Sequence, residues 1–434
     1  MEGDIAFRVI RRNNTRCLVL NSDLGNIPEN LSQVFDEVYS LDTDKEKILI
    51  QKFRFQENNI NNIILIRSDI ASLPFPNKYF DLVVLDGIKT YKKSDGSSKM
   101  KVIECFKEIK RVLTLDGCLC AGVGNKYGLK LYGKEIEYGI NNKTFSDSFY
   151  GYNSIFNSLG FQVKSYWVLP SHRKPHYSGN IEDGISLKWF FRNFDKKFSV
   201  DMMKFRMAGL FLKRLNAITS KLVAKFFCPS FLFYCYNEEM PNVLEDVLME
   251  KTGFKNFIQY VRPRKVMYIL LDGLGNPKKI LSCKRMKYDL TEKIIPFRNV
   301  LSEVKNLKEK IVIEDWLEEG ILDRLNSNDL NLAMKWLTDF QKSTLSELIS
   351  QQEIEEEIEN LKNDLDKIEE MTSLPYHEWL DEYKDHISSI KLKKTAVHGD
   401  FQIRNIFVNR NNSSVNVIDW EWFQEKGNPL YDFV

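Results

Sequence analysis

Short apolar segments recur through the first 125 residues, separated by segments with helical spacing. Residues 17–20, 37–42, 63–69 and 82–86 are four such segments, and residues 102–113 repeat apolar side chains at helical intervals. Strands that alternate with helices in this way predict an α/β fold with a parallel, doubly wound sheet. Ligands of such sheets bind at the carboxyl ends of the strands. The residues at the predicted strand ends or in the turns that follow are Gly25, Asp42, Asp69 and Asp86.

The length of 434 residues predicts two or three domains. We expect a first domain over residues 1–237, a connecting segment over 238–256 and a second domain over 257–434. Residues 178–226 are amphipathic and rich in Phe, Lys and Met, which predicts a helical insertion in the first domain. Such an insertion can cap a substrate cleft, contact a lipid surface or form a dimer. A helical lid packed on its own domain is the interpretation that we favour.

Composition excludes several classes of protein. The net charge is only +2, and no long basic run occurs, so we expect no nucleic-acid partner. The first 14 residues lack the apolar core of a signal peptide, and the most apolar stretch, residues 226–236, is too short to span a bilayer. The seven cysteines form no C-x-x-C pair, which indicates reduced thiols. The sequence therefore predicts a cytoplasmic protein without a transmembrane segment; peripheral membrane contact and the oligomeric state stay open.

The second domain contains a loop suited to phosphoryl transfer. Two predicted antiparallel strands precede the turn "DGLGNP" and a third follows it. A helix, a strand and further helices then lead to "HGDFQIRN" at residues 398–405. The spacing D-x-x-x-x-N supplies a base, Asp400, and a metal ligand, Asn405, from one loop. Asp419 directly follows a predicted strand and is the candidate second ligand of Mg²⁺. We predict that Lys284 contacts the phosphates and that Glu303 pairs with it.

An acidic segment, residues 354–371, carries apolar residues at a heptad-like spacing. A coiled-coil contact and an amphipathic helix with one solvated face both fit this pattern. We favour the amphipathic helix.

The first domain resembles a class I S-adenosylmethionine-dependent methyltransferase of the type associated with surface-glycan genes. The motifs that carry the resemblance are "VYSLD", "LPFPNKYFDLVVLDG", "IKRVLTLDGCL", "GNKYG", "YGYNSIFNSLGF" and "LPSHRKP". The resemblance implies a Rossmann-like fold whose last two strands are antiparallel. The first loop reads "NSDLGN" and has one glycine where this family usually has three.

The resemblance also implies roles for individual residues. The loop with Gly25 would contact the methionine part of the cofactor, and Asp42 would accept hydrogen bonds from both ribose hydroxyls. The Asp69-Ile70 pair would contact the adenine ring. Asp86 would lie near the sulfonium, where it and Tyr127 would orient the acceptor.

The second domain resembles the aminoglycoside phosphotransferase and choline kinase family, through "HGDFQIRNIFV" and "VIDWEWFQEKGNPLYDF". The resemblance implies a kinase-like α+β fold that uses ATP and Mg²⁺. It implies that His398 supports the loop and that Asp432 holds the last helix or loop. Because members of this family continue for several helices after the second motif, we expect the kinase-like domain to be incomplete.

These observations favour a methyltransferase fused to a kinase-like phosphotransferase, acting on a sugar, a glycolipid or another cell-envelope intermediate. Two alternatives stay open at this point. One is a catalytically degenerate scaffold in a glycan-assembly complex. The other is a methyltransferase of a small metabolite that uses the kinase fold only for recognition.

Overall fold

The computed structural model describes residues 15–89, 98–128, 144–145, 147–193, 212–238, 244–261, 265–284, 311–315, 320–323, 325–366, 376–389, 392–418 and 423–433. The chain divides into two compact units, Met1–Trp316 and Leu317–Val434.

The first unit contains fourteen strands and seven helices among its described residues. The strands are β1 (Arg16–Leu20), β2 (Glu37–Asp42), β3 (Ile63–Arg67), β4 (Phe80–Asp86), β5 (Ile88–Lys89), β6 (Leu113–Gly124), β7 (Thr144–Phe145), β8 (Gln162–Ser171), β9 (Lys174–Asn180), β10 (Ser230–Tyr236), β11 (Asn256–Val261), β12 (Lys265–Leu271), β13 (Pro277–Lys284) and β14 (Ile311–Asp315). The helices are α1 (Asn26–Leu31), α2 (Lys45–Glu57), α3 (Ser98–Val112), α4 (Phe149–Ser158), α5 (Gly184–Arg192), α6 (Ala217–Phe227) and α7 (Leu244–Thr252).

The parallel half of the main sheet has the order β3-β2-β1-β4-β6. Its central strand, β1, reads RCLVL and is apolar on both faces, as a parallel strand covered on two sides must be. Leu18 packs into the core layer that contains Phe106 of α3, whereas Val19 packs into the opposite layer with Ile27 of α1. Helices therefore cover both faces, and the predicted doubly wound α/β fold is confirmed.

The strand order reverses at β1. From β1 the chain continues to β2 and β3 on one side and then crosses to β4 and β6 on the other side. A crevice opens at the carboxyl ends of strands where the order reverses in this way. The candidate site is therefore expected between the ends of β1 and β4.

The other half of the sheet is antiparallel. The predicted pair of last strands is present, since β8 and β10 are antiparallel neighbours and β10 also pairs antiparallel with β6. Beyond β8, the sheet continues in the order β9-β11-β12-β13-β14.

The predicted boundary between the domains is wrong. The strands expected to open a separate small sheet at residue 257 instead extend the first sheet, so the first compact unit reaches Trp316 rather than residue 237. The physical reason is the edge of β9, which β11 covers by antiparallel pairing. The buried Ser178 Oγ donates to Gln259 Oε1 over 2.9 Å, and the rings of Tyr177 and Tyr260 stack with centroids 4.6 Å apart.

Two further segment predictions need correction. Residues 178–180 belong to β9, so the helical insertion predicted for 178–226 begins later, with α5, and it ends with α6. The predicted connecting segment, 238–256, contains α7. Leu248 of α7 is buried against Phe257 and Leu270, and this contact fixes the segment on the antiparallel strands.

The second unit is smaller and mixes helices with short strands. Its described elements are β15 (Gly320–Ile321), α8 (Ser327–Ser343), α9 (Gln351–Asp366), α10 (Tyr376–Ser389), β16 (Thr395–Val397), β17 (Ile406–Asn409), β18 (Ser414–Val417) and β19 (Gln424–Gly427). The strands form two small sheets, β15-β17-β18 and β16-β19. Leu322, Ala333, Ile406 and Val408 form a core between α8 and the first of these sheets.

The heptad-like segment begins as α9, and its apolar side chains are used inside the second unit. Ile354 and Ile358 are buried and pack against Leu380, Tyr383 and Leu430. At these two positions the structure supports the amphipathic-helix alternative. Residues 367–371 of the segment lie outside the described residues.

Candidate active site

The loop after β1 contains three residues with a left-handed backbone, although it has only one glycine. Asn21 and Asp23 have φ angles of 58° and 49°, and Gly25 has a φ of 89°. Asn and Asp are the side-chain-bearing residues that adopt this conformation most readily. Asn21 and Asp23 are thus residue types that tolerate the positive φ found at their positions.

A buried glutamine on α2 holds this loop against β2. Gln51 Nε2 donates to Ser22 Oγ over 2.9 Å and to the carbonyl of Asp23 over 2.8 Å, while its Oε1 accepts from Ser40 Oγ over 2.6 Å. Gln51 is fully buried, so its polar atoms need these partners. Sequence reasoning missed this residue because it is a polar side chain in the middle of a helix.

Gly25 contacts the same helix. A Cβ at this position would lie 2.8 Å from Phe55 Cζ and 2.9 Å from Gln51 Cγ. The glycine predicted to approach the cofactor therefore allows the loop and α2 to pack closely, and it caps the start of α1.

Asp42 lies at the carboxyl end of β2, and it is only 1% exposed. Its Oδ1 accepts a hydrogen bond from the Asp44 amide over 3.1 Å. Lys47 of α2 is nearby and pairs with Asp23. Burial lowers the pKa of Lys47, but the hydrogen bond to Asp23 and the charges of Asp23 and Asp42 outweigh burial and raise it. Asp42, Asp23 and Lys47 thus form one charged group between β2 and the first loop.

The two residues predicted to contact the adenine ring, Asp69 and Ile70, differ in solvent exposure. Asp69 is exposed and accepts the Ala71 amide with its Oδ1 over 3.0 Å, whereas Ile70 is buried in the core. The strand that leads to them, β3, ends at Arg67, two residues before the predicted end.

Asp86, which is 4% exposed, ends β4 in a cluster with His172 and the partly exposed Arg173. Arg173 Nε lies 3.3 Å from Asp86 Oδ1, and His172 Nε2 lies 3.3 Å from the same oxygen but off the direction of a hydrogen bond. His172 Nδ1 is 3.2 Å from Ser230 Oγ. Burial of the Asp86 carboxylate raises its pKa, but His172 and the charge of Arg173 outweigh this effect, so the pKa is lowered.

The cluster and the first loop meet at the crevice. Asn21 Nδ2 donates to the carbonyl of Gly87, directly after β4, over 2.7 Å. The residues after β1 and β4 are therefore joined where the strand order reverses. His172, Arg173 and Ser230 were missed because each comes from a segment far from Asp86 in the chain. The motif "LPSHRKP", which contains His172 and Arg173, indicated only the family resemblance. Tyr127, which follows β6, is exposed at the same edge.

In the second unit, the loop 398–405 brings Asp400 and Asn405 together. Asn405 Nδ2 donates to the Asp400 carbonyl over 2.9 Å and to its Oδ2 over 2.8 Å. Gln402 Nε2 donates to the other carboxylate oxygen, Oδ1, over 2.6 Å. An open cavity of about 560 Å³ lies beside the loop, lined mainly by apolar side chains.

Asp432 supports the start of this loop. Its carboxylate oxygens accept the backbone amides of His398 and Gly399, each over 2.8 Å. The buried His398 ring contacts the carbonyl of Ile418 through Nε2 over 3.0 Å. The left-handed φ of Gly399, 79°, explains the glycine in the His-Gly-Asp sequence.

Three predicted residues of the phosphotransfer site lie wholly or partly outside the described residues. Glu303 and Asp419 are outside them, and Lys284 is described only as the last backbone position of β13. β13 belongs to the first unit and Asp400 to the second. Among the described residues, no three His, Cys, Asp or Glu side chains form a metal-binding group.

Comparison with protein families finds a match to part of the first unit. Residues 23–121 match the sequence model of a family described as a methyltransferase domain. This part of the chain is a class I methyltransferase domain. The match runs from the left-handed loop into β6 and includes Asp42, Asp69 and Asp86. The methyltransferase domain expected from the sequence is thus confirmed, and the kinase-like fold of the second unit stays a prediction.

Solved structures of methyltransferases show distant similarity. A SAM-dependent methyltransferase from Aquifex aeolicus is 15% identical, with 35% of this chain and 74% of that chain covered and a TM-score of 0.27. Phosphoethanolamine N-methyltransferase 1 from Haemonchus contortus, in complex with phosphoethanolamine and S-adenosylhomocysteine, is 13% identical, with 58% and 46% covered and a TM-score of 0.35. Geranyl diphosphate C-methyltransferase from Streptomyces coelicolor is 11% identical, with 55% and 79% covered and a TM-score of 0.35. No curated protein matches the chain significantly.

Proposed function

We propose that the first unit binds S-adenosylmethionine at the crevice between the ends of β1 and β4 and transfers its methyl group to an acceptor. The observation that carries this proposal is the placement of Asp42, whose carboxylate ends β2 beside the left-handed loop 21–25. Bound there, the cofactor supplies an electrophilic methyl group on a sulfonium. The chain would supply the ribose acceptor, Asp42, and the backbone of the loop.

The acceptor side lies at the ends of β4 and β6. We propose that Asp86 and Tyr127 orient the acceptor, with the help of the Arg173 and His172 side chains that surround Asp86. Methyl transfer from a sulfonium depends mainly on in-line positioning, so a fixed carboxylate is a suitable orienting group. The acceptor that we propose is a sugar, a glycolipid or another cell-envelope intermediate.

Calorimetric titration of S-adenosylmethionine tests the cofactor site. We expect Asp42→Ala to weaken binding by about 1.5 to 3 kcal/mol, the range of a hydrogen bond to a charged group. Asp36→Ala is the matched control, because Asp36 is an exposed carboxylate just before the start of β2. Unchanged affinity in Asp42→Ala would remove the ribose role from Asp42. Absence of binding to the parent protein would favour the scaffold alternative.

We propose phosphoryl transfer from ATP as a second activity, in the second unit. The observation in its favour is the geometry of the His-Gly-Asp loop, in which Asn405 and Gln402 hold the Asp400 carboxylate in one orientation. Asp400 would orient the acceptor hydroxyl, and Asn405 with Asp419 would bind Mg²⁺ through oxygen atoms.

Nucleotide affinity with and without Mg²⁺ tests this second activity. We expect Asp400→Asn to keep Mg-ATP binding, since it removes no metal ligand. We expect it to lose turnover, since it removes the group that orients the acceptor hydroxyl. We expect Asp419→Asn to weaken Mg²⁺-dependent binding, since it removes a charged ligand of a hard cation. Equal affinity in the parent and both variants, independent of Mg²⁺, would mean that the loop has only a structural role.

A further inference from the structure

The helix α6 buries small residues and leaves most of its large apolar side chains exposed. Ser220 and Ala224 are fully buried, and close packing with α5 requires small groups, since a Cβ at Gly184 would lie 2.3 Å from the Ala217 carbonyl oxygen. A helix that packs on one apolar side normally buries its large apolar residues. The exposed residues of α6 are Ile218 (69%), Leu222 (48%), Phe226 (45%) and Phe227 (48%).

These side chains form a continuous surface. Ile218, Leu222 and Phe226 are four residues apart and share one face of the helix. The half-exposed ring of Tyr150 on α4 extends the surface, with its centroid 5.7 Å from that of Phe226. We call these five residues, Tyr150, Ile218, Leu222, Phe226 and Phe227, the α6 face. Contiguous exposed apolar patches mark sites of protein or membrane interaction.

The α6 face is bordered by positive charge. Residues 212–228 include Lys213, Arg214, Lys221 and Lys225 and no acidic residue. Lys221 and Lys225 both pair with the single carboxylate of Glu182. In the preceding sequence, residues 194–211 contain four basic and two acidic residues. An apolar face flanked by lysine and arginine is the composition that binds an anionic lipid surface.

The α6 face also adjoins the acceptor side of the candidate site. Asn125, directly after β6, donates from Nδ2 to the carbonyl of Phe226 over 2.9 Å and to that of Cys228 over 2.7 Å. Ser230, which contacts His172 of the Asp86 cluster, begins the strand that follows α6. The carboxyl edge of the sheet and the end of α6 are thus held together.

We propose that the α6 face binds the surface of an anionic membrane and brings the acceptor side of the crevice to acceptors held in that membrane. A second copy of this chain is a poorer partner, because a symmetric contact would bring the same basic residues face to face. Among the described residues no helix is long and apolar enough to cross a membrane. The membrane-borne acceptor rests on the proposed methyl transfer, whereas the membrane contact itself does not.

Flotation of the full chain with vesicles tests this proposal. The vesicles contain equal parts of phosphatidylglycerol and phosphatidylcholine, and vesicles of phosphatidylcholine alone serve for comparison. We expect the parent to bind the anionic vesicles and added salt to weaken binding. Leu222→Glu/Phe226→Glu should lower the partition coefficient about tenfold or more, since it removes two apolar groups and adds two negative charges. The matched control is Ile50→Glu/Phe53→Glu, which alters two similarly exposed apolar residues of α2 and should change binding less than about twofold.

Several outcomes would overturn the proposal. The first is that the parent does not float with anionic vesicles. The second is that Ile50→Glu/Phe53→Glu lowers the partition coefficient as much as Leu222→Glu/Phe226→Glu does. The third is that the parent is a dimer in solution and Leu222→Glu/Phe226→Glu converts it to a monomer. S-adenosylmethionine affinity and the thermal unfolding midpoint report whether the variant is folded. If it is not, the single variant Ile218→Glu replaces it, and unchanged flotation of that variant contradicts the proposal. A parent that binds vesicles but not S-adenosylmethionine would refute the proposed function and leave the membrane contact intact.

Discussion

His172 Nε2 lies 3.3 Å from Asp86 Oδ1, and both side chains are buried at the end of β4. A buried carboxylate stays charged only when nearby cations and hydrogen bonds outweigh its desolvation. His172 and Arg173 do so here, and the pKa of Asp86 is lowered. The charged carboxylate of Asp86 therefore contributes to the stability of the first unit, and it also lies in the candidate site.

The first prediction concerns the stability of this cluster against acid. Because the folded pKa of Asp86 is lowered, its contribution is present above the unfolded value of about 3.9 and is lost as pH falls through the folded pKa. We expect Asp86→Asn to destabilise the first unit by about 1.5 to 3 kcal/mol near neutral pH. The difference between variant and parent should shrink in acid. Thermal unfolding as a function of pH measures this, with Asp36→Asn as the control; a difference independent of pH would contradict the charged state of Asp86.

The second prediction concerns the left-handed loop. Gly25→Ala should destabilise the first unit by about 1 to 2 kcal/mol for the left-handed backbone. Overpacking against Phe55 and Gln51 should add about 1 to 3 kcal/mol. Gly273→Ala is the control, because a Cβ there meets no atom within 4 Å. Urea unfolding measures the free energy of unfolding of both variants. Equal values for Gly25→Ala and Gly273→Ala would contradict the close packing of Gly25 on α2.

The third prediction concerns the joint between β9 and β11. A chain that ends after β10 should expose the edge of β9 and lose the contacts of Ser178 and Tyr177, whereas a chain that ends at Trp316 keeps them. We expect the shorter chain to unfold at a lower temperature and to aggregate more readily, because open strand edges pair with other chains. Light scattering during thermal unfolding measures both effects. Equal behaviour of the two chains would support the original boundary at residue 237.

The fourth prediction concerns Asp432. Asp432→Ala removes the acceptor of two backbone amides, at His398 and Gly399, and should raise their hydrogen exchange rates markedly. Asp381→Ala is the control, since Asp381 is an exposed carboxylate that pairs with Lys362. Exchange followed by mass spectrometry reports on peptides that contain residues 398–399. Unchanged exchange there in Asp432→Ala would contradict the supporting role of this carboxylate.

The parallel strands and the positions of Asp42 and Asp86 at their ends could be predicted from the sequence. Strand and helix periods are local signals, and a residue that follows an apolar run is placed at a strand end by counting. The left-handed conformations of Asn21 and Asp23 could not be predicted, because these residue types allow but do not require a positive φ. The single glycine therefore suggested a larger departure from the family pattern than the positive φ angles of Asn21 and Asp23 indicate.

The features of the site and of the fold that could not be predicted depend on contacts between distant segments. Gln51 interacts with Ser22 and Ser40, and His172 with Asp86 and Ser230, across separations of 11 to 86 residues that no local pattern reports. The boundary at residue 237 was wrong for the same reason, since hairpin strands look alike whether they form a new sheet or extend an existing one.

Hydrogen exchange with and without S-adenosylmethionine locates the cofactor site in the chain. If the cofactor binds in the crevice at the reversal of strand order, it should slow exchange in the peptides that contain residues 20–26, 42–44, 69–71 and 86–88, with no slowing in the loop 398–405. Binding without slowing in these first-unit peptides, or slowing confined to the second unit, would contradict the account.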